Sequence, residues 1–128
     1  MSAELEIQRA LFQAISALGF QTHDAAPQRV GDEGFPFVEM GAVVLAPMDT
    51  KDRNGFDFVA RIHTRSRAHD MGDVKQIQGA IYTRLHHGDL AITGYRTVLL
   101  RREMSDCIRE AGGSLHGVCE YRGLIETI

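Results

Sequence analysis

Tryptophan is absent, cysteine occurs twice, proline three times, and only 7% of the residues are aromatic. The two cysteines, Cys107 and Cys119, are too few for a zinc site, and no Cys-x-x-Cys occurs. They flank a Gly-Gly turn, so a disulfide across a hairpin and two reduced, partly buried thiols both fit the sequence. The second suits a reducing cytoplasm. So few rings leave little for base stacking. No stretch approaches the roughly 20 apolar residues of a membrane span. The opening residues, Met1 to Glu6, are acidic where a secretory signal would be basic and then apolar. Neither sign of charge dominates, since 14 Lys and Arg against 17 Asp and Glu leave a formal net charge of −3. A protein that holds nucleic acid by neutralising phosphates would carry the opposite balance. A surface past which nucleic acid moves without being held would suit this one.

Catalytic signatures are missing as well. No Gly-x-Ser-x-Gly elbow, P-loop or dinucleotide-binding glycine pattern occurs. The histidines do not form a helical metal pair. His86 and His87 are adjacent and diverge by about 100° around a helix, and His69-Asp70 reads as a loop and cap. A nucleophilic pair of Cys119 and His116 is conceivable, but Cys119 sits in strand context beside Val118, where structural cysteines prevail. No enzyme, metal or cofactor is expected.

What is present is an ordinary globular composition, 44% hydrophobic and 24% charged. The 128 residues suffice for one domain, 1–128, with its own core. A helix is expected from Ala3 to Leu18, with Ile7, Leu11, Ile15 and Leu18 on one stripe and Ser2 as its cap. Leu5 and Phe12 form a smaller stripe opposite, either two exposed apolar residues or a contact face for another subunit. Residues 21–35 read as a loop with one short strand near Thr22 to Asp24. A strand interrupted by Gly41 runs from Pro36 to Ala46, and a charged connection follows over residues 47–54. From Gly55 the pattern alternates: Phe56, Phe58, Ala60, Ile62 and Thr64 point one way, and Asp57, Val59, Arg61, His63 and Arg65 the other. A second helix is expected from Met71 to His86, capped by Asp70, with Gly79 packed closely against a strand. Tyr95 to Asp106 and His116 to Ile128 should form a long hairpin around Gly112-Gly113. The order α-β-β-α-β-β predicts an α+β fold: a mainly antiparallel sheet of four to five strands packed with two helices.

The basic row Arg61, His63, Arg65, with Arg67 just beyond, admits three readings. It is a solvated face, a contact with acidic residues of a neighbouring subunit, or a surface of a small nucleic-acid- or ligand-binding module. Arg101, Arg102 and Arg122 lie on the C-terminal hairpin.

Several strings, in order, resemble the tail terminators, a family of phage tail-completion proteins. They are Met48-Asp49-Thr50-Lys51, Gly55, and Arg61-Ile62-His63-Thr64-Arg65-Ser66-Arg67. Further on come Leu90 to Gly94, Val98-Leu99-Leu100-Arg101 with Glu103, Leu115-His116-Gly117-Val118, and Tyr121 to Glu126. The resemblance implies a ring, commonly of six subunits, that caps a growing tail tube and later joins the head. The same component occurs in prophages and gene transfer agents. It implies as partners other copies of the chain, the tail tube protein and a head–tail connector, with DNA passing through the lumen and no membrane. Such a protein would reside in the host cytoplasm during assembly and then in the particle. A ring needs two different complementary patches per subunit. Candidates for the interface are Leu5, Phe12, Met48, Asp49, Thr50, Lys51, Asp52, Arg53, Arg61, His63, Arg65 and Arg67. Asp24, Asp32, Glu33 and Asp52 are candidate acidic partners for the basic row.

Overall fold

Ser2 opens the first helix, α1 (Ala3–Ser16), by accepting a hydrogen bond from the Leu5 N–H on its Oγ at 3.2 Å. Glu4 and Glu6 occupy the first turn, where the helix dipole is positive. The computed structural model describes residues 2–24, 34–68 and 70–128. After α1 come β1 (Thr22–His23), β2 (Phe37–Pro47), β3 (Gly55–Ser66), α2 (Gly72–Leu85), β4 (Tyr95–Arg109) and β5 (Leu115–Thr127). The strands form one sheet in the order β1-β2-β3-β5-β4. Only β1 and β2 run parallel; every other neighbouring pair is antiparallel. The α+β class and the element order expected from the sequence are what the chain adopts, with the short early strand as β1.

Both helices lie on one face of this sheet, the face on which the buried apolar residues of the strands gather. In β3 the core residues are Phe58, Ala60 and Ile62. They stand opposite Gly123, Tyr121 and Cys119 of β5. Ile7, Leu11 and Ile15 of α1 and Ile77, Ile81 and Leu85 of α2 close the same cluster from above. Two glycines of β5 set how closely the layers approach. A Cβ on Gly117 would fall 2.5 Å from both Val74 Cγ1 and Gln78 Nε2 of α2. One on Gly123 would fall 2.3 Å from the Phe58 ring.

Several boundaries differ from the sequence reading. The first helix ends at Ser16, and Gly19 turns the chain with φ +96°, so Leu18 is 37% exposed and outside the buried stripe. At α2 the cap position is Met71. Asp70 instead accepts from the Gly72 N–H through Oδ1 at 2.8 Å, a side-chain-closed turn ahead of the helix. The irregularity foreseen at Gly41 is a bulge, with the register to β3 slipping between Met40 and Val43.

Gly79 is the clearest correction. Close packing against a strand was expected there, yet a Cβ would meet nothing within 4 Å. Among the described residues nothing compensates the helix cost of this glycine. Gly79→Ala is therefore expected to raise the stability of the isolated chain by about 0.5–1 kcal/mol. A higher urea midpoint at unchanged slope would show it.

Candidate functional site

The helix-free face of the sheet gathers the charged residues of β3 and part of those of β5. Alternation along β3 places Asp57, Arg61, His63 and Arg65 there, and the register brings Arg122, Glu120 and His116 of β5 onto the same face. Each arginine of the β3 row has an acidic partner within the chain. Arg61 Nε lies 3.4 Å from Glu120, and Arg65 reaches Glu110 at 3.1 Å and Glu39 at 3.6 Å. Across the strands, Arg122 holds Asp57 through two bonds of 3.1 and 2.5 Å, and that pairing keeps the Asp57 carboxyl below the usual range. Arg96 pairs with Glu126, and Arg101 with Glu103. The partners for the basic row are therefore residues of β2, β5 and the β4–β5 turn. The legible signal was the alternation in β5, where Glu120, Arg122 and Glu126 fall on one parity.

Arg65 ties together a denser cluster. His63 Nδ1 lies 2.8 Å from His116 Nε2. The ring centroids are 5.0 Å apart with planes at 27°. That separation fits two rings joined edge to edge through one N–H···N bond, not a face-to-face stack. Room for His63 comes from Gly41 in the β2 bulge, where a Cβ would sit 2.7 Å from Nε2. His116 Nδ1 is 3.8 Å from Glu110. Glu39 Oε2 is buried with no hydrogen bond, and Arg65 Nε stands off it at 3.6 Å.

Burial is the main cause that holds both imidazoles below the ordinary value of 6.5, with His116 adding to it at His63 and Arg65 adding to it at His116. The unfolded chain therefore binds protons at these rings first. Stability from the pair is complete above pH 6.5 and is lost as pH falls through the lowered folded-state values. Replacing both rings (His63→Gln with His116→Gln) should flatten the fall of the urea midpoint below that pH relative to the parent chain. An unchanged slope would contradict this assignment.

The remaining candidates fall into two groups. Residues 48–53 close a tight turn between β2 and β3. The Thr50 N–H donates to Arg53 O at 2.8 Å, Asp49 Oδ1 accepts from the Gly55 N–H at 3.4 Å, and Lys51 and Asp52 are exposed at the tip. Arg53 Nη1 donates to Thr127 O at 3.0 Å, and the Thr127 N–H donates to Asn54 O at 2.8 Å. Met48 folds against the helix-free face, sharing a shallow cavity with Asp57, Leu99 and Arg122. The second group lies on α1, where Leu5 and Phe12 line a small hollow of ≈ 150 Å³ together with Gln8, Arg9 and Asp24. Phe12 also packs against the core, whereas Leu5 is 49% exposed. Arg67 places its guanidinium 4.6 Å from the Phe35 ring. Asp32, Glu33 and His69 lie outside the described residues.

Cys119 and His116 do not come together as a nucleophilic pair. His116 and Cys119 differ in parity along β5 and so face opposite sides of the sheet. Burial raises the Cys119 thiol, and burial likewise raises Cys107. Among the described residues no three His, Cys, Asp or Glu gather as a metal site.

The described residues thus form a two-layer α+β fold with an open, internally charge-paired sheet face. The family model of Tail completion protein gp17 matches residues 7–126, and the chain belongs to that family. Its role is structural, in a phage tail. Among solved structures the fold is similar to a chain in "Virion of native gene transfer agent (GTA) particle". The two are 22% identical with a TM-score of 0.79, over 94% of this chain and 94% of that one. No curated protein matches the chain in sequence.

Proposed function

We propose that the chain is a tail terminator. Copies of it form a ring of six at the head-proximal end of a phage-like tail tube, end tube polymerisation, and help join tail to head. Its partners are then other copies of itself, the tail tube protein and a connector or stopper on the head side. Family membership over residues 7–126 carries the reading. The fold shared with a chain from a gene transfer agent virion supports a phage-derived particle as the setting, whether phage, prophage or gene transfer agent. In this role the chain forms one domain, turns over no substrate, is assembled in the bacterial cytoplasm and leaves as part of the particle.

DNA would pass through the lumen without being held. The arginines of the helix-free face support this, since their charge is already spent on neighbouring carboxylates. The turn 48–53 and the Leu5–Phe12 hollow remain the proposed contacts with the tube or with a neighbouring copy.

Light scattering on the purified chain, alone and with tail tubes, tests the reading. A ring or tube-capping species is expected. A strict monomer that never joins tubes would exclude it. Particles from a strain lacking the protein should have tails of uncontrolled length or tails without heads; normal particles would be equally damaging.

A further inference from the structure

Among the described residues, two stretches of the sheet's backbone pair with a strand on one side only, and they are unlike. The strand order makes β4 an edge along its whole length. The connection from α2 covers part of it: the His87 N–H donates to Leu100 O at 2.7 Å, and the Arg102 N–H to His86 Nδ1 at 3.1 Å. Beyond that point residues 104–109 pair with β5 on one side. Among the described residues no further strand pairs with them, and side chains meet two of their backbone groups: Gln78 Nε2 donates to Asp106 O at 2.9 Å and the Cys107 N–H donates to Asp106 Oδ1 at 2.8 Å. Across the sheet, β1 covers only Val38 and Glu39 of β2. Past the bulge, residues 43–47 pair with β3 and, among the described residues, with nothing else.

Proteins ordinarily guard such edges with charge or with very short strands, because an unpaired row of N–H and C=O groups templates another strand. Residues 43–47 read Val-Val-Leu-Ala-Pro, without a charge, and Val44 is 65% exposed. The β4 edge presents Met104 at 39% and Ile108 at 50% exposure. Between that edge and α2 runs a groove of ≈ 450 Å³, with Gly79, Lys75, Arg102 and Cys107 in its walls. The helix glycine, against which no described residue packs, thus opens beside this edge.

We infer that residues 43–47 of one copy add as a strand to the 104–109 edge of the next, so that the sheet continues from subunit to subunit. The occupant is a second copy because the chain carries both halves of the contact. The two edges lie on opposite sides of one sheet, share no residue and are of similar length, as a head-to-tail contact requires. Main-chain hydrogen bonds supply the attachment, and alternate side chains supply the register. In such a continued sheet Val43 and Leu45, which pack against their own core, share the helix side with the groove beside Gly79. The inference rests on the ring reading and assigns its interface.

Hydrogen exchange on the parent chain, dilute and assembled, provides the test. Amides within 43–46 and 104–109 are expected to exchange on the order of tenfold more slowly, or slower still, in the assembly. Cysteine placed in turn at Val43, Val44, Leu45 and Ala46 should form an interchain disulfide with native Cys107 at alternate positions only, following the period of a strand. Gly79→Leu should leave the free chain folded and lower the assembled fraction at least severalfold. An oligomer by light scattering that lacks both the protection and the alternation overturns the edge contact and leaves the ring standing. A chain that stays monomeric at every concentration and on tubes overturns the ring itself, and the edge contact with it.

Discussion

Gly123→Ala is expected to lower stability by about 1–3 kcal/mol, a large effect for a single methyl. The new carbon would sit 2.3 Å from Cε1 and Cζ of Phe58, a ring only 1% exposed and opposite Gly123 in the β3–β5 register. A rigid ring boxed in by the core cannot swing away cheaply, so either the strands separate or the ring leaves its rotamer. Phe58→Ala alone should cost about 3–5 kcal/mol through the cavity it leaves. Combining the two should cost clearly less than their sum, because the added methyl then fills part of that cavity. A urea double-mutant cycle measures the difference. Strict additivity would mean that Phe58 and Gly123 do not share this space.

Arg65→Ala should be the most damaging change on the helix-free face, at about 1–3 kcal/mol near neutral pH. The guanidinium is the shared partner of Glu39 and Glu110, and Glu39 Oε2 is buried without a hydrogen bond. Removing the cation leaves a nearly buried carboxylate facing another carboxylate and an imidazole pair. The estimate stays at the modest end for a buried ion pair because Arg65 itself is 31% exposed and water screens it. Glu39→Gln should restore much of the loss in the Arg65→Ala background while doing little for the parent chain. If the second substitution brings no recovery, the cost of Arg65→Ala has another origin.

The parts of this architecture that were legible in the sequence depend on periodicity. The alternation from Gly55 to Ser66 named the two faces of β3 correctly, and the stripe Ile7, Leu11, Ile15 named the buried side of α1. Chain-local patterns do not say which strand lies beside which. For that reason Glu39, Glu110 and Glu120 were not foreseen as partners of Arg61 and Arg65, being 26 to 59 residues away in sequence. The His63–His116 bond was hidden by the same cause, since it joins two strands 53 residues apart. Gly79 misled in the opposite direction. A helix glycine ordinarily signals a tight approach within the fold, whereas here no described residue meets its open side.

The latch between the β2–β3 turn and the end of β5 bears on how load would travel. Arg53 and Asn54 hold Thr127, and the Ile128 N–H donates to Gly94 O at the foot of β4. β5 is flanked by β3 and β4 over nearly its full length. A pull on the turn is therefore delivered along the axis of the best-supported strand, as shear shared across two ladders, and does not peel an edge one bond at a time. For a structural part of a phage tail, that is the stiff direction.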